Sequence, residues 1–588
     1  MQESAVAKAS GAMHVETSRR QHVRMDGTEV VYERHLLRRS FRNAQGRPAK
    51  ETLANLTPLP APAIAAIRQV LAGKTLVDVA EAFQITRSLP HGHVAAVSAM
   101  ASALGLPELL GPAGRDRDLA LALVISRVVR PRPKLSTLAW WADVTLGHDL
   151  GVAGASPAEV YQAMDWLRAR QDGIEAALAR RHLGEGSIAM FDLSSSWLEG
   201  THCELAARGY SRDGKKGKTQ IEYRLLTDAA ARPVAIRVFA GNTADPTAFI
   251  EAVTMVRTKF GLHRLTMVGD RGMITSARID ALREDPDNQL SWITCLRAPD
   301  IAALAADDGP LQMSLFDTHD LAEITHPDYP GERLIACRNP ALAQLRAHKR
   351  NDLLLCTEAL LDKIAARVAA GTLSGQDAIG VAVGKLVDKY KMSKHFILHI
   401  AQTSFAYERN QARIDAEAAL DGIYVIRTNL PAASLDPAGV VVAYKNLSGL
   451  ERDWRNIKID DLDLRPIHHY LRGRVEAHLL ICMLAQYLVW HLRRAWAPLT
   501  YTDENPPPRD NPVAAARRSN TATAKARAHT DQHDQPVRSF RDLLDHLGTL
   551  TRNTTVFADQ HLDILATPTP TQRRAFELID ATIPITLR

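Results

Sequence analysis

Three acidic residues stand where the surrounding sequence gives a carboxylate something to do. Asp192 lies in AMFDLSS, a run that reads as a strand with apolar neighbours, where an unpaired carboxylate is costly to desolvate and needs a cation or a strong donor. Asp270 ends RLTMVGD and precedes the turn-former Arg271-Gly272, which puts it at the carboxyl edge of a sheet, where α/β proteins bind ligands. Glu451 sits in YKNLSGLERDWRNIK, seven residues after Tyr444 and seven before Lys458. On an α-helix that spacing drifts by only about 20° per step, so the three form one polar stripe, with Leu447, Leu450, Trp454 and Ile457 as its apolar companions. Taken singly, each acid has an ordinary reading: a strand Asp bonded to backbone or Arg, a turn acid, a solvated helix face. Together, two acids on neighbouring strands and one on a packed helix can hold a pair of hard divalent cations roughly 3.5 to 4 Å apart, which activates a water and stabilises a leaving oxygen. Phosphoryl transfer fits that chemistry. Oxygen-only ligands suit Mg²⁺, two ions per site, with Mn²⁺ able to substitute. No GxxxxGK[ST] and no GxGxxG after a strand argues for nucleotide binding instead.

The elements that must position these acids follow from the hydrophobic period. From residue 186 to 297 the order reads β-β-β-α-β-α-β, with the helix DPTAFIEAVTMVRTKFG opened by Asp245 and Pro246, which implies a mixed α/β sheet with helices packed on it. Residues 298–442 read as an inserted α+β module, and 443–500 return to helix. Before the sheet, 1–58 read as a tail and β-hairpin arm turned at NAQGR, and 59–185 as a helical domain with apolar residues recurring at three and four. Residues 501–537, with Pro506 to Pro508 and little apolar content, read as a flexible linker, and 538–588 as a C-terminal extension.

At 588 residues the chain is too long for one core. A hydrophobic share of 46% beside 23% charged residues excludes a fibrous or wholly disordered class. Five cysteines without a CxxC suggest neither a disulfide framework nor a zinc ribbon. A cytoplasmic protein with no membrane segment is expected, and the apolar stretch Leu479 to Leu492 reads as a buried helix. Net charge is only +6, but ARGYSRDGKKGK, Ala207 to Lys218, sets five basic residues against one acid. Such a loop is a solvated turn or a phosphate contact, and its place beside Asp192 favours the second. Arg127, Arg130, Arg132 and Lys134 form another basic group, a DNA grip or a solvated helix end.

FDLSSSWLEG, GYSRDGKKGK, FAGNTADPT, VGDRGM, KHFILHI and the Tyr444-Glu451-Lys458 signature, in this order, resemble the DDE-type insertion-sequence transposases of the insertion-sequence-four superfamily. The likeness runs from about Thr28 to Trp496. It implies a ribonuclease-H-like core with an insertion before the Glu, and metal binding by Asp192, Asp270 and Glu451, which are 78 and 181 residues apart. It further implies DNA contacts by Tyr444, Lys458 and Arg455, a DNA channel lined by Arg208, Arg212, Lys215, Lys216 and Lys218, and support from Asn242 and Arg271. Terminal inverted repeats would bind the hairpin arm and helical domain, target DNA would enter the same site, and a homodimer on the bacterial nucleoid would bridge two element ends. The family's signature has Arg three residues after its Tyr; Leu447 stands here, which removes one DNA contact and leaves the acids whole. Three rivals remain: a metal-dependent nuclease of the same fold, an inactive transposase-derived DNA-binding protein, and a metal protein built on His468, His469 and His478, which lack HExxH spacing.

Overall fold

A computed structural model describes residues 11–25, 27–76, 83–243, 245–285, 289–306, 308–557 and 560–587, excluding the side chains of 245–249 and 557. Its N-terminal part holds more strand than the sequence suggests. β1 (Ala12–Val23), β2 (Glu29–Arg42) and β3 (Pro48–Asn55) form an antiparallel sheet in that order. The expected hairpin is β2 and β3, and Asn43 Oδ1 shapes its turn by accepting from the amides of Gln45 and Arg47. β1 escapes a hydrophobic-period search because its middle is polar on both faces. It is held by full-length pairing with β2 and by pairs such as Arg19 with Glu33. After the helix Ala61–Leu71 comes β4 (Phe83–Pro90), a strand inside the span expected to be helical. FQITRSLP has the β-branched and aromatic content of a strand, and the helical pattern around it masked that.

The next stretch follows expectation: β5 (Ile188–Trp197), β6 (Gln220–Asp228), β7 (Pro233–Ala240), the helix Asp245–Thr258, β8 (Thr266–Val268), the helix Ser276–Glu284, and β9 (Ser291–Cys295). The first-turn side chains of the helix Asp245–Thr258, which the sequence reading used, lie outside the described residues. β10 (Leu321–Ile324), β11 (Arg333–Arg338), the hairpin β12 (Phe396–Ile400) with β13 (Phe405–Arg409), and β14 (Ile423–Thr428) come next. One eight-stranded mixed sheet results, in the order β10-β11-β14-β9-β8-β5-β6-β7, with β8 parallel to both β5 and β9 and the other pairs antiparallel. The expected insertion is therefore no separate module. Three of its strands extend the sheet, while the helices Pro340–Ala369 and Gln376–Lys389 and the hairpin β12–β13 keep their own apolar cluster around Leu361, Ile379 and Val383.

The expected helical domain is likewise not separate. The helices Gly92–Ala103, Arg115–Val129 and Pro157–Ala169 share one apolar core with the sheet, gathered around the helix Arg472–Ala495. That helix is long and apolar enough to cross a membrane, yet 83% of its most apolar window is buried inside the protein. Each buried leucine along it contributes about 2 kcal/mol of transfer free energy. Glu175, on the helix Gln171–His182, ties that helix to β7: its carboxylate accepts from the Ile236 amide at 3.0 Å and pairs with Arg237.

The stretch expected to be a linker packs back on the body. Residues Asn520–Ala528 are helical, and Ser519 caps them. Buried Lys525 donates to the carbonyls of Ala497 and Thr502, and Lys445 donates to that of Val513, which is buried. Low apolar content misled because polar side chains satisfying backbone carbonyls fix this segment. β15 (Thr551–Phe557) and β16 (Gln560–Leu565) follow and form a sheet in the order β16-β15-β4, and the helix Pro570–Glu577 comes after them. Two units result: the described residues up to Ser88 with Asn553–Ile564, and Leu89–Arg552 with the residues from Leu565 on.

The basic group near residue 130 is divided between core and surface. Arg130 and Arg132 are exposed. Arg127 is buried and donates to the carbonyls of Leu462 and Arg132, and Lys134 is buried and donates to His478 Nδ1 at 2.9 Å. Burial holds the Lys134 ammonium well below its ordinary range of 10.5. The unfolded chain therefore binds a proton that the native state resists, and this group subtracts stability at every pH below about 10, the deficit closing as pH rises. Lys134→Met should accordingly raise the melting temperature at pH 7 by about 1 to 3 °C and by less at pH 10, as followed by circular dichroism.

Candidate active site

The parallel pairing of β5 and β8 determines where the first two acids meet. Ile188, Ala189 and Met190 lie opposite Thr266, Met267 and Val268. Continuing that register by two residues, one full side-chain period, brings Asp192 level with Asp270 just past the carboxyl end of β8. Asp270 is held there by its own turn: its Oδ1 accepts from the amides of Gly272 at 3.0 Å and Met273 at 2.9 Å. The third acid arrives on the helix Leu447–Arg455, whose Trp454 donates its indole N–H to Asp192 Oδ2 at 3.0 Å and packs edge-on against Tyr223 of β6 at 5.1 Å. Glu451 lies one turn before Trp454 and shares its side of the helix. Asp192, Asp270 and Glu451 together line a cavity of about 430 Å³, with Arg271, Tyr444 and Arg346 also on its wall.

Burial first, and then the neighbouring Asp270 and Glu451 charges, push the Asp192 carboxyl up to about 7 against the pull of the Leu193 amide and Arg212. The Tyr444 hydroxyl is raised above its ordinary range, first by burial and then by Cys295 and Asp270. The donors are carboxylates and a phenol, a set that suits hard cations over soft ones. Among the described residues no three His, Cys, Asp or Glu side chains converge tightly enough to grip a single ion, so the acids border an open cavity. That finding covers the histidine trio too: His469 and His478 are held in their neutral form by burial beside Lys134.

The expected stripe of Tyr444, Glu451 and Lys458 is broken twice. Asn446 ends the helix Pro437–Lys445 and begins the next, and residues Asn456–Asp460 form a π-helical turn. Tyr444 and Glu451 still reach the cavity, but the wider turn swings Lys458 into the interior, where its Nζ meets Asp213 at 2.9 Å. Arg465 shares that carboxylate. Lys458 is therefore an anchor for the basic loop in this structure and does not line the acidic cavity.

Asp213 is the single acid in the basic loop, and it fastens the loop from one side. Gln220 fastens it from the other, donating to the carbonyls of Tyr210 at 3.0 Å and Gly241 at 2.9 Å. The Arg212 amide donates to Ser195 Oγ on β5 at 3.1 Å. Of the loop's cations, Lys218 is paired with Glu199 at 3.1 Å and Lys215 lies over the Trp197 ring at 5.3 Å, while Arg208 and Lys216 are exposed. Arg455 is exposed, and Asn242 is exposed in the turn after β7, away from the cavity wall. Sequence reasoning missed Asp213 and Gln220, although a lone acid in a cationic loop was a visible signal. It also missed Arg346, a cavity residue supplied by the helix Pro340–Ala369 with no local motif.

What fold and site define together is a multidomain mixed α/β protein with three carboxylates on one cavity at the ends of parallel strands. No protein-family model matches the chain, and no curated protein matches it. Among solved structures, a piggyBac transposase synaptic complex with hairpin DNA is similar over 68% of this chain and 79% of that one, at 10% identity and a TM-score of 0.25. At that score the likeness assigns neither fold nor activity.

Two outcomes test the site's electrostatics. Asp213→Ala leaves Lys458 and Arg465 without their shared carboxylate in a buried setting, and should cost about 3 to 5 kcal/mol in denaturant unfolding. Asp192 binds its proton more tightly in the native state than in the unfolded chain, where 3.8 is ordinary. Its contribution is therefore present below about pH 4 and lost as pH rises to about 7. Asp192→Asn, measured with EDTA present, should melt above wild type at pH 8 and together with it near pH 3.

Proposed function

We propose that this chain is a transposase that cuts and joins phosphodiester bonds at element ends, with Asp192, Asp270 and Glu451 as its metal-holding acids. One observation carries the reading: acids separated by 78 and 181 residues converge on a single cavity, and two of them raise the pKa of the third. Carboxylates placed to repel one another are stabilised by a shared cation. The strands β7, β6, β5, β8 and β9, read as a ribonuclease-H-like core, put that cavity where α/β sheets bind ligands.

The acids would hold two Mg²⁺ or Mn²⁺ ions, and an open cavity suits ions that keep several waters and take phosphate oxygens as further ligands. When bound, such ions lower the pKa of a water and neutralise charge on the leaving oxygen. The protein's own part is placement. Trp454 holds one oxygen of Asp192, the turn amides hold one oxygen of Asp270, and the helix Leu447–Arg455 carries Glu451 to the wall of the same cavity. Arg271 and Tyr444, on the same wall, would contact the phosphate at the cut, and the loop carrying Arg208, Arg212, Lys215 and Lys216 would hold backbone further out by charge. In the first reaction the oxygen of water bonds to phosphorus as the bond to the 3′ oxygen breaks, and that oxygen takes a proton. In the second, the oxygen of the freed 3′-hydroxyl would bond to the phosphorus of a target phosphodiester as that phosphorus's bond to its own 3′ oxygen breaks, the attacking hydroxyl losing its proton and the released target oxygen taking one. The partner is double-stranded DNA, and two copies of the chain would bring two ends together.

The test uses purified wild type, Asp192→Ala, Asp270→Ala and Glu451→Ala with Mg²⁺ or Mn²⁺, a labelled duplex carrying the element's ends, and a plasmid target. Wild type should cleave and join, and each variant should lose both by at least about 100-fold while still binding DNA. Cleavage without joining would identify a nuclease of this fold, and DNA binding with neither reaction would identify an inactive relic.

A further inference from the structure

The acidic cavity does not end at its own wall. Arg271, Cys295, Arg346 and Tyr424 also line a second, larger cavity of about 740 Å³. Along this neighbour the helix Pro340–Ala369 presents one face: Arg346, Lys349, Arg350 and Leu353 recur at three and four. Six lysines and arginines line it against two acids, Glu417 and Asp421. Both acids are already engaged, Asp421 by Arg350 and Glu417 by Lys394 at 2.5 Å with His395 at 3.1 Å. Among the described residues Arg271, Arg346, Lys349 and Arg413 pair with no acid. This groove therefore presents a net positive wall whose mouth opens onto three carboxylates.

We infer that this groove is a track for one strand of DNA leaving the acidic cavity, with Arg346 and Lys349 as its phosphate contacts and Arg413 also on its wall. The inference rests on the transposase reading and adds residues that the sequence motifs did not supply. Length supports a polymer. From Arg346 to Leu353 the helix advances about 10 Å, which matches about three nucleotide steps of roughly 3.4 Å along a strand. The division of labour is electrostatic. Carboxylates repel phosphate unless cations intervene, so a strand would be held beside the acids by a basic wall that continues past them.

The experiment measures binding of a labelled duplex in EDTA across a salt series, for wild type, Arg346→Gln/Lys349→Gln, and Arg367→Gln. Arg367 is an exposed cation on the same helix, outside the groove. Both groove positions are exposed, and circular dichroism checks that each variant folds. Each lost phosphate contact should flatten the plot of log affinity against log salt by about 0.9. The double variant should therefore lose between one and two units of slope and at least about tenfold in affinity at low salt, while Arg367→Gln matches wild type. If the double variant matches wild type in slope and affinity, the track is overturned and the transposase reading stands on its own cleavage assay. If wild type binds no DNA at any salt, both readings fall.

Discussion

Asp192 is carried on a strand whose neighbours are buried on both sides, and the other two acids are brought toward it. That placement costs stability, and much of the surrounding architecture can be understood as holding the carboxylate there. The parallel pairing of β5 with β8 brings Asp270 level with it. The indole of Trp454 binds it directly, and Trp454 is itself wedged against Tyr223, so the helix bearing Glu451 is registered to the sheet through one tryptophan. Glu451 itself stays exposed on a short helix, and that contact fixes where the helix presents it. With it, three charges from distant parts of the chain occupy one cavity.

The same helix shows how function and packing are kept apart. Leu447, Ser448 and Glu451 of that helix line the cavity, and beyond Arg455 the π-turn redirects the chain so that Lys458 serves the interior. Asp213, reaching back from the basic loop, completes an ion cluster with Lys458 and Arg465 that sits nearly dry. A buried cluster of this kind gives modest net stability but strong positional definition, since breaking it leaves unpaired charge. The loop that would meet phosphate is thus tied to the helix that presents the third acid.

Much of this was legible in the sequence, and the failures have physical causes. The strand and helix order from 188 to 295 could be read because the hydrophobic period changes from two to 3.6 in step with the turns. The three acids could be picked out because each interrupts an apolar or turn pattern. The π-turn could not, since a one-residue widening of a helix leaves no trace in composition, and the seven-residue stripe assumed an unbroken helix. β10, β11 and β14 read as an insert because strand pairing is non-local: nothing in Ile423–Thr428 names β9 as its neighbour. Residues 501–537 read as a linker because polar composition was taken for solvation, whereas Lys525, Asp503 and Asn511 spend their polar groups on internal partners.

The sheet β16-β15-β4 joins the two ends of the chain, and Thr86 is bonded to a carbonyl 468 residues later, that of Thr554. A ribosome adding roughly 5 to 20 residues per second would take about 25 to 95 s to cover that distance. Throughout that interval β4 is synthesised and waiting, its edge unpaired, while the large sheet and its carboxylates are already free to assemble. The sheet β16-β15-β4 therefore cannot form until β15 has been made, long after the residues of β5, β8 and the helix Leu447–Arg455 have left the ribosome.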